Sequence, residues 1–352
     1  MQRDHRGRSS SLSNPELVID VVRAGVVIFG LMTAMAYLTW FERRVIGRLQ
    51  VRPGPNRVGF AGLLQPLADA VKLLLKEDIV PSSADKWLHV LAPSIALFTA
   101  LVAFAVLPLG PTVVIDGVEV PMVVAELPVG ILYMIGVSSL SVYGLVLGGW
   151  SSGSKYSLLG GMRGAAQVIS YELIVGLALV CVVLVVGSLN LGDIVQWQAD
   201  HHWLVLYHPV AFLLYLVGAF AEVNRAPFDL PEAETELVAG YHTEYTGFRF
   251  AIFFLAEYAG MFLFAMVIAL LFLGGWHTGT PLDTSLGWGR LVGFFVLFAK
   301  TFFLLSVMIW IRWSLPRYRV DKVMYLCYKV LLPWSVVAMM VAALQVLLTG
   351  GK

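Results

Sequence analysis

Glu222–Arg249 reads E-V-N-R-A-P-F-D-L-P-E-A-E-T-E-L-V-A-G-Y-H-T-E-Y-T-G-F-R. Six carboxylates, Glu222, Asp229, Glu232, Glu234, Glu236 and Glu244, stand there against Arg225 and Arg249 alone. Long apolar runs flank the stretch, Trp203–Phe220 before it and Phe250–Leu273 after it. Runs of that length cross hydrocarbon as helices, and ionisable groups beside hydrocarbon are costly to keep. Acids held between two membrane spans therefore point to a task that requires them.

Outward from this stretch, the chain keeps the same character. It is 59% hydrophobic and 13% charged, with a mean hydropathy of +0.80, which no ordinary soluble domain shows. Apolar blocks near 17–41, 88–108, 127–149, 166–187, 203–221, 250–275, 289–312 and 329–348 predict about eight transmembrane helices. The expected fold is an all-α integral membrane protein, with an amphipathic interfacial helix and structured cytoplasmic loops. No internal repeat or composition break divides residues 1–352, so a single membrane domain is expected. It has a polar tail at 1–16 and two main cytoplasmic loops, 42–87 and 222–249. Arg3, Arg6 and Arg8 ahead of an apolar run ending Ala34-Met35-Ala36 imitate a secretory signal. The run continues through Tyr37–Phe41 into a distinctive segment, so cleavage is not expected.

Basic residues set the orientation. Arg43, Arg44, Arg48, Arg52, Arg57, Lys72, Lys76 and Lys86 lie in 42–87, and Arg312, Arg317, Arg319 and Lys322 in 312–328. The connections 109–126 and 188–202 hold neither Lys nor Arg. Eight spans then put the basic loops and the acidic stretch in the cytoplasm, with both termini on the periplasmic side. A net charge of +1 supplies no basic field for nucleic acid. Cys181 and Cys327 are too few for an iron–sulfur cluster, and no metal-ligand spacing is present. No histidine pair sits at membrane depth to ligate a haem, and no nucleophile–base arrangement stands out.

Three further features bear on function. In segment 42–78, a basic part rich in Pro and Gly predicts turns. Leu63, Leu64, Leu67, Val71, Leu74 and Leu75 then fall on one helical stripe, which suits a helix lying in the membrane interface. A plain loop with a surface anchor reads the same residues equally well. Segment 155–172 places Glu172 in an apolar span after a Gly-rich turn; Gly160, Gly161 and Gly164 do not form a dinucleotide fingerprint. Glu257 sits in the middle of the apolar run after Arg249, and Glu126 and Lys300 are further candidates for membrane depth. Buried carboxyls have raised pKa values, which nearby cations lower again, and groups poised in this way can pass protons. A plainer reading covers part of the acidic stretch: Pro231 opens a short helix, Glu232 and Glu234 complement its dipole, and Gly240 ends it. Glu222 and Arg225 are close enough in sequence to pair. His242 is equally readable as a polar loop residue or a proton-handling one.

Two long signatures carry a resemblance. Arg52–Gly59 (R-P-G-P-N-R-V-G) goes with Gly62–Asp69 (G-L-L-Q-P-L-A-D), and E-V-N-R-A-P-F-D-L-P-E-A-E with E-L-V-A-G-Y-H-T-E-Y. Both resemble the H-type membrane subunits of bacterial NADH:quinone oxidoreductase, the bacterial respiratory complex I. The mitochondrial counterpart is NADH dehydrogenase subunit 1. G-A-A-Q-V-I-S-Y-E and L-A-E-Y resemble that family too, while Phe60-Ala61 departs from the Pro expected after R-V-G. The resemblance implies a subunit of a proton-translocating enzyme in the bacterial inner membrane. Such a subunit carries no catalytic residue or redox centre of its own, with FMN and iron–sulfur clusters held by partner subunits. The partners implied are the peripheral redox arm and the antiporter-like membrane subunits, and the substrate is a quinone. It further implies a quinone-tunnel role for Arg43, Arg44, Arg52, Asp69, Phe228 and Asp229. A proton-path role is implied for Glu172, Glu222, Glu232, Glu234, Glu236, Glu244 and Glu257, with Arg225 as counter-charge. The competing expectations are the equivalent subunit of an energy-converting hydrogenase or F420-linked complex, a stand-alone cation or proton carrier, and a purely structural scaffold.

Overall fold

The computed structural model describes residues 14–115, 118–278 and 287–349. Its first helix, α1 (Asn14–Leu49), runs past the expected loop boundary and carries Glu42, Arg43, Arg44 and Arg48 on its last turns. The helix ends at Leu49, and Val51 just beyond it takes a left-handed φ of 56° that no helix continues through. The chain then doubles back so tightly that a Cβ on Gly47 would meet Arg52 O at 2.9 Å. Helix α2 (Gln65–Leu75) starts on Pro66 and leaves Leu64, Leu67, Leu74 and Leu75 exposed along one stripe. That is the form of a helix lying in an interface.

Helix α3 (Lys86–Ala103) is capped by Asp85, whose carboxylate accepts from the Trp87 and Leu88 amides. A two-stranded antiparallel hairpin, β1 (Val113–Ile115) with β2 (Val118–Val120), follows. It is a small addition to an otherwise helical chain. Helices α4 (Gly130–Ser139) and α5 (Ser141–Ser151) make one span in two pieces. Helix α6 (Lys155–Val186) ends on left-handed Gly187. Gly160, Gly161 and Gly164 lie inside α6 and not in a turn, which corrects the sequence expectation. They serve close packing: a Cβ on Gly160 would meet Tyr241 N at 2.7 Å, and one on Gly161 would meet Leu145 O at 2.9 Å.

Helix α7 (Leu191–Asp200) and the single turn α8 (Leu204–Tyr207) lead through His208 into α9 (Pro209–Glu222). The acidic stretch contains the short α10 (Glu234–Leu237) and a single 3-10 turn at Gly240–His242 before α11 (Gly247–Phe272). Helices α12 (Gly287–Ser314), α13 (Val320–Tyr325) and α14 (Leu332–Thr349) complete the chain, the last two joined through a wide π-helical stretch at Leu326–Leu331. Seven helices among the described residues are long and apolar enough to span a membrane, and the shorter α9 makes an eighth apolar helix. The protein is a multi-pass membrane protein.

Beyond Glu257, helix α11 is apolar on every side, and a helix of that kind is buried on every side. From Met261 to Phe272 each residue is buried, packed against α1, α3, α7, α9 and α12. The outer helices turn Phe29, Trp310, Trp334 and Leu347 outward instead.

Candidate functional site

The site grows from the end of α9. Asn224 takes a left-handed φ of 55°, which turns the chain sharply after Glu222. The buried Gln167 of α6 fastens that turn by donating from Nε2 to Ala221 O at 2.6 Å, Phe228 O at 2.6 Å and Asn224 Oδ1 at 3.2 Å. Further on, Gly240 adopts φ +59°, and a Cβ there would collide with the Pro231 carbonyl. Only glycine fits such a fold-back. Pro231 in turn rests on Gly164, 2.7 Å from where its Cβ would stand. The acidic loop is thus seated on the glycine face of α6.

This seating delivers Arg225 to α11. Its guanidinium, 3% exposed, forms an ion pair with Glu257 at 2.6 Å. It lies over the rings of Phe254 and Tyr258 at 5.3 and 4.8 Å. The pairing with Glu222 suggested by their closeness in sequence does not form: Arg225 pairs with Glu257, and Glu222 Oε2 has no hydrogen-bond partner. Tyr241 Oη donates to Glu257 Oε1 at 3.1 Å, and Glu232 shares a hydrogen bond with Glu257 as well. Burial, then repulsion from Glu257, pushes the Glu232 carboxyl up to about 7, while Arg225 and His242 pull the other way. Burial alone would weaken the charge on Arg225, but Glu257 and its neighbours hold the guanidinium firmly protonated.

Tyr258 extends the cluster to α1. Its hydroxyl donates to Glu42 Oε2 at 2.5 Å, and Arg312 Nη1 and Trp313 Nε1 donate to Oε1 at 2.5 and 3.0 Å. On the other side of Glu257 is a cavity of about 70 Å³, lined by Ser138, Ser141, Glu222, Asn224 and Tyr241 among others. A space of that size and polarity can hold water. Glu222 is buried with Oε2 unpartnered, and Glu172 accepts a hydrogen bond from Ser139.

The remaining sequence-derived candidates occupy the flanks. Arg43 pairs with Asp69 at 2.6 Å, joined by Gln65 and Lys72. Burial opposes the charge on Asp69, yet Arg43 beside it holds the carboxyl below its ordinary value. Arg44 donates to Ala61 O at 2.7 Å and lies over Trp40, and Arg52 is exposed on the turn after α1. Phe228 is buried between Tyr171 and Tyr318. Asp229 pairs with Arg317 at 2.7 Å. Burial and then Glu232 raise its carboxyl, with Arg317 partly offsetting them. Among the described residues, no hydrogen bond or ion pair joins the Arg43–Asp69 group to the Phe228–Asp229 group. Glu236 pairs with Arg163 at 2.7 Å, Glu244 is half-buried, and the Glu234 side chain lies outside the described residues. Glu126 is exposed ahead of α4, and Lys300 caps the end of α11 by donating to Leu273 O, Gly275 O and His277 O.

Sequence reasoning assigned no role to Glu42, Tyr241, Tyr258 or Arg312. An acid following an unbroken apolar run was the visible signal for Glu42. The other three belong to the site only through contacts across the fold. The described residues contain no group of three or more His, Cys, Asp or Glu that could hold a metal ion.

Known proteins share this chain almost from end to end. The family model described as NADH dehydrogenase matches residues 22–343. The H-type NADH-quinone oxidoreductase subunit numbered 2 in Syntrophobacter fumaroxidans is 50% identical over 330 residues, covering 94% of this chain and 96% of the relative. The H-type subunit of Thermomicrobium roseum is 47% identical over 343 residues, covering 95% and 96%. The first of the two in Geobacter metallireducens is 48% identical over 327 residues, covering 93% and 96%.

Proposed function

Because this chain belongs to the NADH dehydrogenase family, we propose that it couples quinone reduction to proton movement as a membrane subunit of an NADH–quinone oxidoreductase. The site is the buried cluster Glu222, Arg225, Glu232 and Glu257, with Glu42 and Glu172 at its edges. The observation that carries the reading is the buried Arg225–Glu257 pair crowded by a second carboxyl, Glu232, poised near neutrality. Such a group changes its proton occupancy when a charge appears nearby.

Reducing a quinone to a quinol takes two electrons and two protons. The electrons come from an iron–sulfur cluster in the peripheral arm, whose FMN receives them from NADH; this chain supplies the walls and the charges. Arg43, Arg44, Arg52 and Asp69 form one wall of the quinone tunnel, and Phe228 and Asp229 the other. Negative charge arriving there draws on Arg317 and Arg225, because cations in a low-dielectric site respond strongly to new charge. Loosening of Arg225 from Glu257 shifts protons among Glu232, Glu257 and Glu222 through the water-sized cavity, with Glu172 next in line. Glu234, Glu236 and Glu244 are the further members of the proton path. The antiporter-like partner subunits take up the signal. The chain lies in the bacterial inner membrane with the basic loops in the cytoplasm and both termini in the periplasm. The names of the relatives support the quinone enzyme over a hydrogenase or an F420-linked complex.

Glu222→Gln and Glu236→Gln in the intact complex test the reading. Positioned proton-transfer groups contribute ~100-fold or more, so quinone-linked proton pumping should fall at least tenfold in the doubly substituted complex. NADH oxidation by an artificial acceptor at the peripheral arm should be unchanged. Full pumping in both substituted complexes would sink the coupling role.

A further inference from the structure

One hydrogen-bond donor stands between the two halves of the proposed site. Gln167 on α6 is wholly buried, and its Nε2 faces Ala221 O, Asn224 Oδ1 and Phe228 O. All three are acceptors, which fixes the orientation of the amide, because the flipped group would set Oε1 against two carbonyls. The amide thus offers two protons to three acceptors. Distances of 2.6 Å to each carbonyl and 3.2 Å to Asn224 give the protons to the carbonyls and leave Asn224 the loosely held third. Gln167 Oε1 is buried and has no hydrogen-bond partner, so nothing else ties the amide down when an acceptor moves.

The three acceptors belong to different parts of the site. Phe228 stands in the proposed quinone wall, and its neighbours are gripped from the far side: Tyr318 N donates to Pro227 O at 3.1 Å, and Arg317 pairs with Asp229. Ala221 closes α9 beside Glu222, and Asn224 lines the cavity that Glu222 and Glu257 share. Tyr171, one turn beyond Gln167, packs on Phe228 at 5.5 Å and donates its hydroxyl to Val323 O at 3.1 Å, which anchors this face of α6. We propose that Gln167 is a positioning residue that converts a displacement of the quinone wall into a change at the proton cavity. When Phe228 O withdraws, the N–H it held turns to Asn224 Oδ1 and draws that amide back from the cavity. The water space between Glu222 and Glu257 changes with it. This inference rests on the proposed coupling role and adds the residue that carries the coupling across α6.

Protons moved per quinone reduced, measured on vesicles holding the intact complex, test it. Gln167→Met keeps the side-chain length and removes both donors. The ratio should fall about fivefold, the shift in an equilibrium governed by one buried hydrogen bond, while quinone reduction falls about twofold at most. Gln167→Glu gives a second readout. Its carboxyl keeps one donor while protonated and none once ionised, so the ratio, relative to the parental complex at the same pH, should recover as pH is lowered. Gln167→Met should show no such recovery. Should Gln167→Met fail to assemble, Asn224→Gly, which keeps the left-handed turn and removes the third acceptor, should lower the ratio by the same factor. Equal losses of quinone reduction and pumping, with the ratio kept, would reduce Gln167 to a fold contact and overturn the proposal. Parental ratios in Gln167→Met or Asn224→Gly would overturn it too. Glu222→Gln measured alongside separates the two levels. Full pumping there sinks the coupling role itself, whereas pumping lost there and kept in Gln167→Met sinks the role of Gln167 alone.

Discussion

Arg225 is the residue on which the central cluster turns. Its guanidinium is sealed from water, balanced by one carboxylate and two ring faces, and its nitrogens have no hydrogen-bond partner beyond that ion pair. Removing one partner of such a pair strands the other, at a cost of ~3–5 kcal/mol. Arg225→Gln should therefore lower the unfolding temperature of the purified complex and abolish quinone-linked proton uptake. Arg225→Lys, keeping the charge but losing the flat fork, should fall between. Glu232 gives a pH signature. Its carboxyl is raised from an ordinary 4.5 to about 7, so within that window the folded chain retains a proton that the unfolded chain has released. Stability should fall as pH rises through the window and level off above about 7. Glu232→Gln should flatten the profile and remove one titrating carboxylic band from the infrared difference spectrum. The acids themselves were readable because their residue types are costly beside hydrocarbon. Their partners were not: Glu257 meets Arg225 and Glu42 meets Arg312 only after the helices pack, and nothing in local sequence selects Glu257 over Glu222 for Arg225.

At the scale of elements, the acidic loop has almost no regular structure of its own and takes its shape from α6. Gly160, Gly164 and Gly240 are the contact surface. Gly240→Ala combines left-handed strain of ~1 kcal/mol with a collision against Pro231 that only backbone movement relieves. It should unseat the loop, with quinone reductase activity lost while other membrane subunits still copurify, and with faster proteolysis between Glu232 and Thr246. Sequence reasoning drew the loop over 222–249, while in the structure α9 ends at Glu222 and α11 already starts at Gly247. It misjudged α1 and α6 in one direction: arginines and glycines suggested turns where helices continue. Both helices extend beyond the hydrocarbon into a polar zone where charge is cheap and small residues serve packing, and composition alone does not separate that zone from a loop.

For the whole molecule, the multi-pass helical character was legible because bilayer thickness dictates the length of apolar runs; of the eight expected spans, seven helices among the described residues are long enough to cross and α9 is shorter. The placement of α11 at the centre was not legible, since several runs are equally apolar and only packing ranks them. On the proposed function, the network responds to a redox event outside this chain. Purified alone and reconstituted, the chain should therefore conduct no protons above the leak of empty vesicles under an imposed potential, and steady flux would favour the carrier reading. One contact also bears on how the chain is made. Glu42 and Arg312 are 270 residues apart, and ribosomes add ~5–20 residues per second, so Glu42 waits roughly 15 to 55 seconds for its partner. During that wait the nascent polypeptide holds an orphan acid at the edge of the lipid. Ribosome-released fragments that stop short of α12 should be cleared by membrane quality control faster than the same fragments carrying Glu42→Gln.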